Sequence, residues 1–312
     1  VSTFRVHAAP HTSVARGTRP RWWAELPLLA LVYAAYSAGR LLARGDVSAA
    51  TGHGVRLLDA EQLLHIDFER PLNRLFSGTP VVGIPAAFVY AALHYLVTPA
   101  VLVWLWRRHP TRYRLMRTWL LLATTIGLAG FTLLPTCPPR LLAAVHGFTD
   151  TMAEYAAYGW WGGEASAPRG LGGLTNQYAA MPSLHVGWAL WCGVALWLYG
   201  GSRLTKVAGM AYPLLITVVV LGTANHYFLD TVAGSAAMVL GLLLARPALR
   251  LTAAARGVIA ARASGGTPGP PANVGDGCET SAGERFPRQS ARAGSGTRGA
   301  AAAGDGAART PG

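Results

Sequence analysis

The stretch MPSLHVGWALW, Met181 to Trp191, sets a Pro-Ser-Leu-His step directly on an apolar run that continues to about residue 200. A serine and a histidine at the mouth of so apolar a helix cost free energy unless they are bonded or put to use. Outward from this stretch the chain repeats the pattern of long apolar runs. Besides 184–200, the runs near 21–43, 80–106, 118–135, 205–224 and 227–246 approach the ~20 residues that a bilayer crossing requires. The spacing predicts an all-α integral membrane protein, a bundle of six transmembrane helices.

Composition points the same way. The 312 residues are 52% hydrophobic and only 13% charged, too apolar a profile for an ordinary soluble domain. The net charge of +13 raises the question of nucleic acid, but the arginines are scattered among apolar blocks and build no basic face interleaved with aromatics. They fit loops that flank a membrane. RRHPTRYRLMR (107–117) carries five arginines, and GGSRLTK (200–206) carries Arg203 and Lys206. Positive charge is retained on the cytoplasmic side, so the expected topology is a multi-pass cell-membrane protein with both termini inside. The connections 44–79, 136–183 and 224–227 then face outside. The thiols of Cys137, Cys192 and Cys278 form no spaced framework.

Three segments follow from these patterns. Residues 1–20 form a polar cytoplasmic lead, and the run after them lacks a small-residue cleavage site, so it reads as an uncleaved first span. Residues 21–249 form the membrane domain. Residues 250–312, rich in Gly, Ala, Pro and Arg, bury too little apolar surface to offset ordering entropy and predict a disordered cytoplasmic tail. Between the first two spans, Leu57, Leu64, Phe68, Leu72 and Leu75 recur near helical spacing. This predicts an amphipathic helix lying on the surface, broken at Arg70-Pro71.

Three polar clusters fall on the same face of this topology. In LLPTCPPR (133–140) two prolines stop a helix and deliver Arg140, a planar fork suited to phosphate; an interfacial arginine is the plainer alternative. Ser183 precedes the periodic run and is a natural N-cap. The amides of Leu184, His185 and Val186 then lie at a positive helix end, a ready anion site, with His185 placed to donate a proton. In TANHYFLD (223–230), His226 and Asp230 are four apart and share a helical face. A carboxylate a turn inside a span costs about 2.5–3.5 kcal/mol on insertion scales and marks function.

With these pieces in view, the chain resembles the type 2 phosphatidic acid phosphatase (PAP2) superfamily, and within it the inositolphosphotransferase branch named for inositol phosphorylceramide synthase. The matching residues are PTCPPR (135–140), YAAMPSLHVGWALW (178–191) and NHYFLDTVAG (225–234), and the resemblance covers about 20–246. It implies a membrane lipid phosphatase or phosphotransferase, with water or a lipid hydroxyl as acceptor, in which a nucleophilic His226 becomes a phosphohistidine, oriented by Asp230, with His185 as general acid. Arg140, Ser183 and Leu184 would hold phosphate, with no metal and no cofactor. The partners implied are a lipid phosphate and the bilayer, without nucleic acid or an obligate protein partner. The chain departs from the superfamily pattern at Leu133 (lysine there), Val220 (arginine) and Leu184 (usually glycine). A site with less positive charge suits a phosphodiester better than a phosphomonoester, unless Arg70 or Arg169 restores charge.

Two other readings compete. His185, His226 and Asp230 could be ligands of a catalytic metal in a membrane hydrolase, although that leaves Ser183 and Arg140 unexplained. A non-enzymatic lipid-binding or transport protein could use the clusters as a headgroup site. His94, near the centre of the second span, is a functional candidate by its position but stays outside the catalytic set. The segment WWGGEASAPRGLGG (160–173) reads equally as a lid over the site and as an interfacial connector.

Overall fold

The architecture comes from a computed structural model of the chain. It describes residues 47–161, 169 and 176–263, together with Trp23, Pro27, Ala30, Leu31 and Ala34. The expected first span (21–43) therefore lies outside the described residues except at those five positions. Most of the 160–173 segment and the tail from 264 onward also lie outside them.

Among the described residues every regular element is helical. Helix α1 runs Val47–Leu63 and α2 Glu69–Gly78. Helix α3 runs Pro80–Arg108, α4 Pro110–Leu133, α5 Thr151–Glu154, α6 Leu184–Tyr199, α7 Arg203–Gly222 and α8 Phe228–Ala263. Four of them, α3, α4, α7 and α8, are long and apolar enough to cross a membrane. Helix α6 is equally apolar but has 16 residues, so the six-span expectation stands at four full-length candidates and one shorter helix.

The basic connections are tighter than the sequence suggests. Only His109 separates α3 from α4, because Pro110 ends one helix and is tolerated in the first turn of the next. The arginines at 112, 114 and 117 thus sit on the first turns of α4 rather than in a loop. Helix α8 also outruns its expected span and stays helical past residue 250, to Ala263.

The bundle is closed by small residues and by tryptophans. A Cβ on Gly193 of α6 would stand 2.3 Å from the carbonyl oxygen of Gly209 on α7, so these two backbones touch only because both positions are glycine. The indole N–H of Trp119 donates to the carbonyl of Met238 (2.6 Å), that of Trp191 to Met116 (3.0 Å) and that of Trp188 to the Thr124 hydroxyl (2.9 Å). Each satisfies a polar group that an apolar interior would otherwise leave costly.

The α1–α2 region differs most from its expectation. The break falls at 64–68, with His65 in the left-handed region at φ 56°, and Pro71 is accommodated in the first turn of α2. The side turned into the protein also carries polar residues, with Leu57 and Leu72 only partly buried. Leu64, Phe68 and Leu75 are exposed, whereas Glu61, Glu69 and Asn73 have no exposed surface at all. Leucine periodicity marked an amphipathic segment, but tertiary contacts of the polar residues decide which face turns inward.

Candidate active site

The site forms where the chain leaves α4, enters α6 and enters α8. After α4 the Pro-rich segment docks on the approach to α6: the Thr136 amide donates to the Tyr178 carbonyl (2.8 Å) and the Ala180 amide to the Thr136 carbonyl (3.3 Å). Arg140 follows on a short 3-10 turn, Pro139–Leu141. It is buried rather than snorkelling to an interface. Its amide donates to the Ala224 carbonyl (2.9 Å), its Nε to Asn225 Oδ1 (3.0 Å) and its Nη1 to Asp150 Oδ2 (2.7 Å). The other Asp150 oxygen caps α5 by accepting the amides of Met152 and Ala153. Asp150 was not legible as a site residue; Asp-Thr-Met-Ala-Glu announces a helix start but not the arginine that the aspartate serves.

Ser183 takes the N-cap role its position predicts. Its hydroxyl accepts the Val186 amide (3.5 Å) and its own amide donates to the Asp230 carbonyl (2.9 Å), tying α6 to α8. Among the described residues the amides of Leu184 and His185 have no protein acceptor outside the helix. The Leu184 side chain lies in the notch left by Gly127 on α4, so this leucine anchors the helix start.

His226 precedes α8 rather than sitting within it, in a turn where Ala224 adopts φ 56°. Its Nδ1 lies 2.8 Å from the Ala180 carbonyl oxygen and 3.5 Å from Asp230 Oδ2. A carbonyl can only accept, so Nδ1 carries a hydrogen, and in the neutral ring the lone pair is then on Nε2. The expected orienting partner, Asp230, is thus the more distant of two. Its Oδ2 accepts the Tyr227 amide (2.9 Å), the backward reach of a residue in the first turn of a helix.

The two histidines meet edge to face, with ring centres 5.5 Å apart. The Nε2 atoms of both are buried and have no partner. Behind His185, Tyr90 stacks on its ring at 4.7 Å and His94 meets it edge-on at 4.3 Å. Tyr90 lies in a π-turn of α3, Val89–Leu93, and His94 follows directly after it, the kind of irregularity that gathers at functional sites. Of the two arginines that could restore charge, Arg169 donates its Nη2 to the Ala156 carbonyl, and Arg70 lies over the Phe148 ring at 5.8 Å.

A family model described as the PAP2 superfamily matches residues 55–244, more than half the chain. The chain belongs to the PAP2 superfamily. No curated protein and no solved structure gives a significant match. Membership in PAP2 makes a membrane phosphatase or phosphotransferase the general activity class, and the matched segment contains every residue of the site just described. Among the described residues no three His, Cys, Asp or Glu side chains are grouped to hold a metal ion, so His185, His226 and Asp230 do not form a ready ligand triad.

Three further residues reach this PAP2 site without having been singled out as such. Asn73 of α2 donates to the carbonyls of Thr149 and Gly222 and accepts the Thr149 amide (2.8 Å), which locks the segment carrying Asp150 to the end of α7. Glu69 accepts the amide of Phe228, and Glu61 that of Leu229 (2.7 Å). Both acids therefore sit on the first turn of the helix that carries Asp230.

Proposed function

We propose that this PAP2 protein is a lipid phosphoryl-transfer enzyme that works through a phosphohistidine on His226, in the manner of the inositolphosphotransferase branch. The observation that carries the reading is the pair of buried, unpartnered Nε2 atoms on His226 and His185. Unpaired buried nitrogens are costly, and a phosphoryl group between them accounts for both. His226 Nε2 forms a bond to phosphorus as the bond from phosphorus to the lipid oxygen breaks, and His185 gives that oxygen its proton. An acceptor hydroxyl then passes its proton to His185 while its oxygen replaces His226 on phosphorus. Ala180 and Asp230 hold the His226 ring. The amides of Leu184 and His185, beside the Ser183 cap, and the guanidinium of Arg140 are the donors for the non-bridging oxygens.

The charge balance favours a phosphodiester. Arg140 is already paired with Asp150 at 2.7 Å, and Leu133 and Val220 stand where the superfamily carries cations. A monoanionic phosphodiester needs less compensation than a dianionic phosphomonoester, and its second ester stays on phosphorus through the phosphohistidine, so the group can pass to a lipid hydroxyl or to water. The site faces the outer side of the cell membrane in this reading. The test offers purified protein a panel of labelled lipid phosphates and follows the label. Label appearing in a second lipid and trapped on the protein in acid-labile form supports the reading; full turnover by His226→Ala protein sinks it.

A further inference from the structure

Glu61 and Glu69 are acids with no exposed surface, reaching the same helix end from two different helices. Glu69 Oε1 accepts the Phe228 amide and Glu61 Oε1 the Leu229 amide, adjacent donors on the first turn of α8. The second oxygen of each, Oε2, is buried without another hydrogen-bond partner. The first amides of a helix lack internal acceptors and carry partial positive charge, which suits one carboxylate. A second full charge beside it would not be repaid, because the charged or titratable groups around the pair are Asp67 from the α1–α2 turn and Tyr227 and Asp230 from the α8 end. No ion pair reaches either glutamate among the described residues.

We propose that Glu61 and Glu69 are a positioning pair that holds one proton and one negative charge between them, fixing the start of α8 and through it His226 and Asp230. The proposal rests on the reading that these two residues carry the chemistry. Two adjacent amides held by two separate helices leave the first turn of α8 no freedom to rotate about its axis. Asp230 lies on that turn, and its bond to the Tyr227 amide and its approach to His226 depend on the same phase. Burial, the neighbouring Glu69 and the Asp230 charge push the Glu61 carboxyl up to about 9, and burial raises Glu69 as well. The hydrogen bond between the two carboxyls raises Glu61 and lowers Glu69, so we place the proton on Glu61, which donates it to Glu69. A carboxyl raised from 4.5 to about 9 binds its proton more tightly in the folded protein, so its contribution is complete below 4.5 and is lost as pH rises through about 9.

The test uses the full chain in detergent, with orthovanadate as the phosphoryl mimic read by tryptophan fluorescence, and infrared spectra for the proton. At neutral pH the parent shows a buried protonated-carboxyl stretch that is missing in Glu61→Gln. Vanadate affinity falls about tenfold in Glu61→Ala and Glu69→Ala, the scale of one lost bond to a charged group. Glu61→Gln recovers most of that loss, since its amide still donates to Glu69 and its oxygen still accepts from Leu229, whereas the double Gln variant does not. The parent also loses affinity as pH rises through about 9, and Glu61→Gln does not. Parent-like binding in both alanine variants, no rescue by Glu61→Gln, or no carboxyl band overturns the positioning pair. His226→Ala run alongside separates the two ideas: if it still turns over lipid phosphate, the phosphohistidine reading fails instead. A parent that ignores vanadate also counts against that reading, and the infrared band then decides the pair by itself.

Discussion

His226 is held by one strong contact, its Nδ1 hydrogen on the Ala180 carbonyl, and by one longer approach to Asp230. The two partners should therefore differ in what their loss costs. His226→Ala removes the atom proposed to attack phosphorus and should reduce phosphoryl transfer to background. Asp230→Asn keeps an oxygen for the Tyr227 amide and leaves the Ala180 contact intact, so turnover should persist at about a tenth or less of the parent. Initial rates on membranes with matched protein content check both; equal loss in the two variants would mean that Asp230 does more than orient. His185→Ala should cost about 100-fold or more in kcat, the usual worth of a general acid. Arg140 makes a different case. Its Nε and Nη1 are spent on Asn225 and Asp150, an arrangement that needs a planar fork. Arg140→Lys retains the charge yet can satisfy only one of the two, and should raise the apparent KM by about tenfold; an unchanged KM would show that the fork is not what places the cation.

At the level of elements, what matters is how the helix ends are brought together. Gly234 allows α8 to meet the start of α6: a Cβ there would lie 2.1 Å from the Ser183 carbonyl oxygen and 2.9 Å from its carbonyl carbon. Backbone cannot yield as a flexible side chain can, so Gly234→Ala should lower stability by about 1–3 kcal/mol and disturb the Ser183 cap with it. A fall in melting temperature together with lost activity is the expected result; a stable, active variant would mean the two helices can part without consequence. The Ser183 cap was legible in the sequence because its signal is local. The sequence did not show which polar residues of α1–α2 turn inward, for the opposite reason. Leucine spacing is local, whereas the partners of Glu61 and Glu69 lie some 160 residues away in the chain. No nearby residue announces that a helix end will need two acids. Asp150 escaped notice on the same ground, and the π-turn that presents Tyr90 and His94 to His185 leaves no mark in an apolar run.

For the whole molecule, the question is which way the bundle stands in the membrane. Helices α3, α4, α6, α7 and α8 follow one another with their joins at alternating ends. At one end lie His109 between α3 and α4 and the Gly200–Ser202 link between α6 and α7, where His109 packs against Trp104 and Tyr199. That end carries Arg107, Arg108, Arg112, Arg114, Arg117, Arg203 and Lys206. The opposite end carries Arg140, Ser183, His226 and the α1–α2 pair, where Arg56, Arg70, Arg74 and Arg140 are interspersed with the acids Asp59, Glu61, Asp67, Glu69 and Asp150. Charge is thus segregated along the axis, and the excess of Lys and Arg belongs on the cytoplasmic side. In the orientation proposed above, the reacting groups open to the outer face, and a lipid phosphate of the outer leaflet would reach them without crossing the bilayer. Single cysteines introduced at Gly201 and at Val145, which is 87% exposed, test this in intact cells with an impermeant thiol reagent, in a background where Cys137, Cys192 and Cys278 are serine. Val145→Cys should react from outside and Gly201→Cys only after the cells are opened. The reverse pattern would place the site in the cytoplasm and require a substrate from the inner leaflet.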